Sequence, residues 1–120
     1  MMLGPRQSKL VERLETYMGE QGFRYLECGD ERCALGVAVR LAMEDGVEVR
    51  VRLAPNGITY FDNHPSTLPE SVRDYFDFVD SLGFAKVGRD SLVALNDSKR
   101  LTFKEIAAEL RSGEYFKEVK

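Results

Sequence analysis

The sequence predicts an α+β domain, an antiparallel sheet meander with flanking helices in the order α-β-β-β-(β)-α-β-β-α, with residues 1–120 forming a single domain. Three observations predict it. PRQSKLVERLETYMGEQG places Leu10, Val11, Leu14, Tyr17 and Met18 on one helical stripe. VEVRVRL alternates strictly, with Val47, Val49, Val51 and Leu53 on one face and Glu48, Arg50 and Arg52 on the other. Thr67-Leu-Pro-Glu70 and Thr102-Phe-Lys-Glu105 each read as a capping box at the start of a helix.

In chain order, Pro5 suits the first turn of the first helix, and Gly19 and Gly22 suit its end. A meander follows: FRYLEC, the GDER turn, CALGVAVRLAM, the EDG turn, then VEVRVRL. A three-residue EDG loop with Gly46 left-handed sets Met43 opposite Val47, Leu41 opposite Val49 and Val39 opposite Val51. That register keeps one face apolar; a two-residue Asp45-Gly46 turn would set Val39 against Arg52. APNG (54–57) turns the chain again, and ITYF adds a short fourth strand. Val72, Tyr75, Phe76 and Val79 mark the second helix up to Gly83. FAKVGRDSLVAL reads as a hairpin turning at Gly88-Arg89-Asp90. Phe103, Ile106, Ala107 and Leu110 line the last helix, with Leu101 and Ile106 as its staple and Ser112-Gly113 as its end.

At 43% hydrophobic residues the chain can build a core without staples. It has no apolar run of about 18 residues, and its start turns polar within five, so a cytoplasmic location is expected. Seventeen basic against twenty acidic side chains, net −3, weigh against binding of duplex DNA, which needs a basic excess. LTFKEIAAEL resembles the first helix of a helix-turn-helix motif, but only EYFKEVK follows its turn, too little for a recognition helix.

Both cysteines lie in CGDERC. A turn centred on Asp30-Glu31 sets Cys28 opposite Cys33, as two small buried hydrophobes at a hairpin. The four-residue spacing suits neither a zinc site nor a thioredoxin-type pair, so no metal or cofactor is expected there. His64 in FDNHP, with Asp62 nearby, could act as a general base, though DNHPSTLP is also an ordinary turn-rich loop. Glu70, Asp74, Asp77 and Asp80 form an acidic stripe, read here as a solvated helix face.

The second strand of the meander carries the most informative pattern. Its face away from the apolar one reads Ala34, Gly36, Ala38, Arg40, Ala42, and small residues there let another element approach closely. The chain's own helices or a second subunit can fill that space. The same register sets Arg40 opposite Arg50, and Arg52 opposite Ala38, so an anion is wanted between the guanidinium groups: Glu48, Glu27 or the acidic helix or, failing those, a partner's carboxylate or phosphate. Ala34, Gly36, Ala38, Arg40, Arg50 and Arg52 are therefore the expected binding face.

The inferred order of helix, three-strand meander, helix, hairpin and final helix is similar to that of the type III secretion chaperones, as are the length and acidity. The resemblance implies a dimer that holds an extended segment of another protein along its sheet. The expected function is that of a non-enzymatic protein-interaction domain, adaptor or chaperone-like, acting as a homodimer on a protein partner. Two alternatives stand beside it: a module that binds an anionic ligand or RNA backbone through the arginines, and a small enzyme using His64.

Overall fold

The computed structural model describes residues 3–84 and 90–117. The α+β class holds, with five helices and two small sheets among the described residues. Helix α1 (Pro5–Glu15) starts at its proline and buries Gln7, Leu10, Val11 and Leu14. It stops a turn before the glycines, where the Thr16 hydroxyl donates to the Glu12 carbonyl, and Met18 is left exposed beyond it. The buried face packs on the last helix and on the central one. The helix is further tied down by Gln7 Nε2 donating to the Phe76 carbonyl (2.9 Å) and by an ion pair from Arg111 to Glu15 (2.7 Å).

Strands β1 (Glu20–Gln21), β2 (Glu27–Cys28) and β3 (Glu31–Arg32) form a small sheet in the order β1-β3-β2, with β1 parallel and β2 antiparallel to β3. The CGDERC hairpin is present, but its turn is Gly29-Asp30. Gly29 supplies the positive φ (59°) that a two-residue loop favours. Cys28 therefore faces Glu31, and the Cys33 amide donates to the Leu26 carbonyl (3.2 Å).

The segment expected to be the second strand of the meander is a helix, α2 (Ala34–Glu44). It is apolar on nearly every side because α1, β3 and the two helices α3 and α4 described below surround it, so it shows no amphipathic stripe. Cys33 caps its start, Sγ accepting from the Gly36 amide at 3.4 Å. Glu44-Asp45-Gly46 ends this helix and makes no hairpin loop: Gly46 takes φ 100°, its amide donates to the Met43 carbonyl, and the Val47 amide donates to Ala42.

β4 (Val51–Leu53) and β5 (Thr59–Phe61) form the hairpin around APNG, with Val51 opposite Phe61, Arg52 opposite Tyr60 and Leu53 opposite Thr59. A bridge between Cys28 and Ile58, with the Gly29 amide donating to Gly57 (2.9 Å), joins the two sheets. Their strands run β1-β3-β2-β5-β4, which leaves β4 at an edge.

α3 (Glu70–Phe76) begins after Pro69, two residues later than its expected cap. The Thr67 hydroxyl is engaged with His64 Nδ1 at 3.2 Å. The helix ends where Asp77 turns left-handed, leaving Val79 outside it. Of the expected 84–95 hairpin, residues 85–89 lie outside the described residues. The second arm is a helix, α4 (Leu92–Asp97), because the Ser91 hydroxyl caps it by accepting from the Ala94 amide at 3.1 Å. α5 (Phe103–Leu110) opens with the full capping box: the Glu105 amide donates to Thr102 Oγ1 (3.2 Å), and the Thr102 amide to the Glu105 carboxylate (2.9 Å).

The core gathers Leu10, Leu14, Phe61, Phe76, Phe78, Tyr115 and Phe116 around α2. Buried Asn96 holds three regions together. Its carbonyl accepts from the Ala34 amide and from Gln21, while its amide group donates to the Gly22 carbonyl (2.9 Å). Among the described residues no helix is long and apolar enough to cross a membrane.

Candidate functional site

The helical form of 34–44 divides the six residues expected to make one binding face. Ala34, Gly36 and Ala38 are buried within the chain. A Cβ on Gly36 would lie 1.8 Å from the Leu26 carbonyl oxygen, so the small residues serve a close approach between α2 and the chain entering β2. Arg40 lies on the same helix and has no cross-strand relation to Arg50. Arg50 and Arg52 remain exposed at β4, with Arg52 stacked over the Tyr60 ring at 4.2 Å.

Arg40 pairs with Glu27, one of the counter-charges open to it, and not across from Arg50. This carboxylate is 6% exposed and accepts four hydrogen bonds: Arg32 Nε (2.7 Å) and Arg40 Nε (2.9 Å) on Oε1, and Arg40 Nη2 (2.7 Å) and the Thr59 hydroxyl (3.1 Å) on Oε2. Burial pushes its pKa up, and the hydrogen bonds from Arg40 and Arg32 outweigh that, so the carboxyl sits below its ordinary value. Two guanidinium groups share this one carboxylate. Their outer edges line an open cleft of about 480 Å³ with Arg13, Met43 and Glu44.

On the far side of Met43 a second open cleft, about 560 Å³, runs beside the approach to β4 and is lined by Val47, Glu48, Val49, Arg50 and Asp62. The backbone of β4 explains its character. The Asp62 amide donates to the Arg50 carbonyl (2.7 Å) and the Ala54 amide to Ile58 (2.9 Å), so Arg50, Arg52 and Ala54 turn their N–H and C=O groups towards β5. The alternation then directs the N–H and C=O groups of Val51 and Leu53 outwards, where no partner meets them among the described residues. The side chains of Val51 and Leu53, expected on a buried face, are 44% and 70% exposed. They share their face with buried Phe61 and Thr59 but overhang the core. Strand alternation made the face visible in sequence; the position at an edge was not visible.

The other candidate residues make local contacts. Asp62 and Asn63, both at positive φ, form the tight turn closed by hydrogen bonds between the Phe61 and His64 backbones (3.0 and 2.9 Å). Asp62 Oδ1 accepts from the Arg50 amide, so it serves this turn and strand while His64 is exposed with Thr67. Cys33 is a buried cap whose thiol is pushed up to about 11, chiefly by burial. Cys28 is half-buried in the hairpin, and both thiols are free. Asp74 pairs with Arg73, while Asp80 accepts from the Leu82 and Phe84 amides. Among the described residues no group of three or more histidine, cysteine, aspartate or glutamate side chains could hold a metal ion. The likeness to type III secretion chaperones placed a strand at 34–44, where the structure has the helix α2. Comparison of the chain with known protein families, with curated proteins and with solved structures finds no match.

Proposed function

We propose that this chain is a non-enzymatic protein-interaction domain, adaptor or chaperone-like, that takes an extended segment of a protein partner along the open edge of β4. The observation that carries the reading is the outward amide and carbonyl row of Val51 and Leu53 beside their exposed side chains. An unpaired edge of this kind is a template for strand addition: main-chain hydrogen bonds supply affinity and alternate side chains supply selectivity. The cleft beside Val47 and Val49 offers room for the incoming side chains. A cytoplasmic setting fits the reading, since both cysteines are free and Cys28 faces Glu31 across the hairpin.

Val51→Pro tests it. Proline removes an outward donor and leaves the β4–β5 ladder intact, so the fold should keep its unfolding midpoint. Peptides enriched from a displayed random library on the wild-type domain should bind Val51→Pro at least about tenfold more weakly, because the lost edge hydrogen bond is joined by a steric block to pairing. No enrichment, or equal affinity for both proteins, counts against the reading.

A second reading is favoured by the sharing of Glu27 between Arg32 and Arg40. One positive charge is left over in a cleft where Arg13 is already paired with Glu44, which suits an anionic ligand or an RNA backbone. Under this reading Arg13→Ala weakens binding of inorganic phosphate or a short RNA in a salt-dependent way. Strand addition at β4 is unaffected by Arg13→Ala, so the same variant separates the two readings.

A further inference from the structure

The charges of β4 indicate what its partner is. Any antiparallel strand added here must pair with the outward groups of Val51 and Leu53, which limits a self-pairing to a few registers. A two-fold axis at Val51 would set Arg50 against Arg52 of the second copy twice, with like charges opposed. An axis at Val49 would draw Gly46 and Asp45 into the ladder, yet these close the end of α2 and Gly46 has φ 100°. An axis at Arg50 leaves Asp45 and Gly46 outside the ladder and opposes like charges once, Arg50 with Arg50, instead of twice.

About Arg50, Glu48 of each copy faces Arg52 of the other, giving two opposite-charge pairs. On the other face Val49 meets Val51 twice, and Val47, whose amide is already held by the Ala42 carbonyl, lies beside Leu53 at each end, in an apolar row continuous with Phe61. The two Arg50 side chains meet on the axis. Each has Asp62 of its own chain as its cross-strand neighbour, bound through the Arg50 amide at 2.8 Å. Arg52 already lies along Tyr60, on the face where Glu48 of the second copy would arrive.

We propose that β4 pairs with β4 of a second copy of this chain about a two-fold axis at Arg50, with Glu48 and Arg52 as reciprocal charge partners. The proposal rests on the strand-addition reading and names the occupant of that same edge.

Sedimentation of the full chain tests it in five samples: wild type, Glu48→Arg, Arg52→Glu, the double variant, and an equimolar mixture of the two single variants. All the changed side chains are exposed. Wild type is expected to dimerise. Each single variant turns both attractive pairs repulsive and should weaken the dimer roughly tenfold or more. The double variant and the mixture each regenerate two opposite-charge pairs and should dimerise again. Single variants that dimerise as tightly as wild type overturn the proposal, as does a mixture that stays monomeric. A wild type that is monomeric, while Val51→Pro still abolishes peptide binding, overturns the second copy as occupant and leaves strand addition standing. A Val51→Pro protein that dimerises like wild type removes the edge from both.

Discussion

Gly36→Ala is expected to cost about 3–5 kcal/mol, because the new methyl cannot be accommodated by any side-chain rearrangement. Its ideal position lies 1.8 Å from the Leu26 oxygen and 2.7 Å from the Leu26 carbonyl carbon, both of them backbone atoms. Relief requires the whole of α2 to move away from the chain entering β2. That movement would disturb Leu35, Val37 and Leu41 in the core and the hydrogen bond from the Cys33 amide to Leu26. In an open helix the same change would stabilise by up to about 1 kcal/mol, so even the sign of the effect reports the contact. Urea unfolding followed by circular dichroism measures it. A variant as stable as wild type would show that α2 does not lie against β2.

Glu27→Ala should destabilise by a similar amount, about 3–5 kcal/mol, the usual cost of breaking a buried ion pair by removing one partner. Arg32 and Arg40 would face each other without their shared carboxylate, and the Thr59 hydroxyl would lose its acceptor. Glu27→Gln retains an acceptor and should lose less. Acid separates the two contributions. The folded carboxyl has its pKa below the ordinary 4.5, so as pH falls the unfolded chain takes up the proton first. The stabilisation from ionised Glu27 is therefore complete above about pH 4.5 and declines below it, disappearing as pH passes the folded value. Urea midpoints between neutral pH and pH 3 should fall more steeply for wild type than for Glu27→Gln. Parallel curves would mean that the carboxylate is not held as described.

Some of this fold was legible in sequence because a local signal agreed with the tertiary outcome. Thr102 and Glu105 bond each other as their spacing requires, and Pro5 starts α1 where its fixed φ suits a first turn. The segment 34–44 was misleading for a physical reason. A helix buried on nearly every side loses the 3.6-residue stripe, and its Val37 and Val39 then read as strand formers. Reading it as a strand also produced an arginine pair that the molecule does not contain. Thr67-Leu-Pro-Glu70 had the right spacing for a cap, but His64 engages Thr67 from the preceding turn, and a three-residue interval cannot reveal that competition. Glu27 and Arg40 are thirteen residues apart on different elements, so only folding makes them partners. The edge at β4 depends on strand order, which followed from α2 leaving the sheet.

The way α1 is fastened has a consequence for how the chain comes off the ribosome. This helix is synthesised before the other described helices, yet its buried face rests on α5, and its polar contacts reach Phe76 and Arg111. At about 5–20 residues per second, the 96 residues between Glu15 and Arg111 take roughly 5–20 s to translate. Throughout that interval Leu10, Val11 and Leu14 have only part of their final covering. The nascent chain thus carries a greasy early segment that vectorial synthesis cannot seal until the later helices follow. Whatever shields it in the meantime, a transient partner or a loose collapse onto α2, must give way when the last helix arrives.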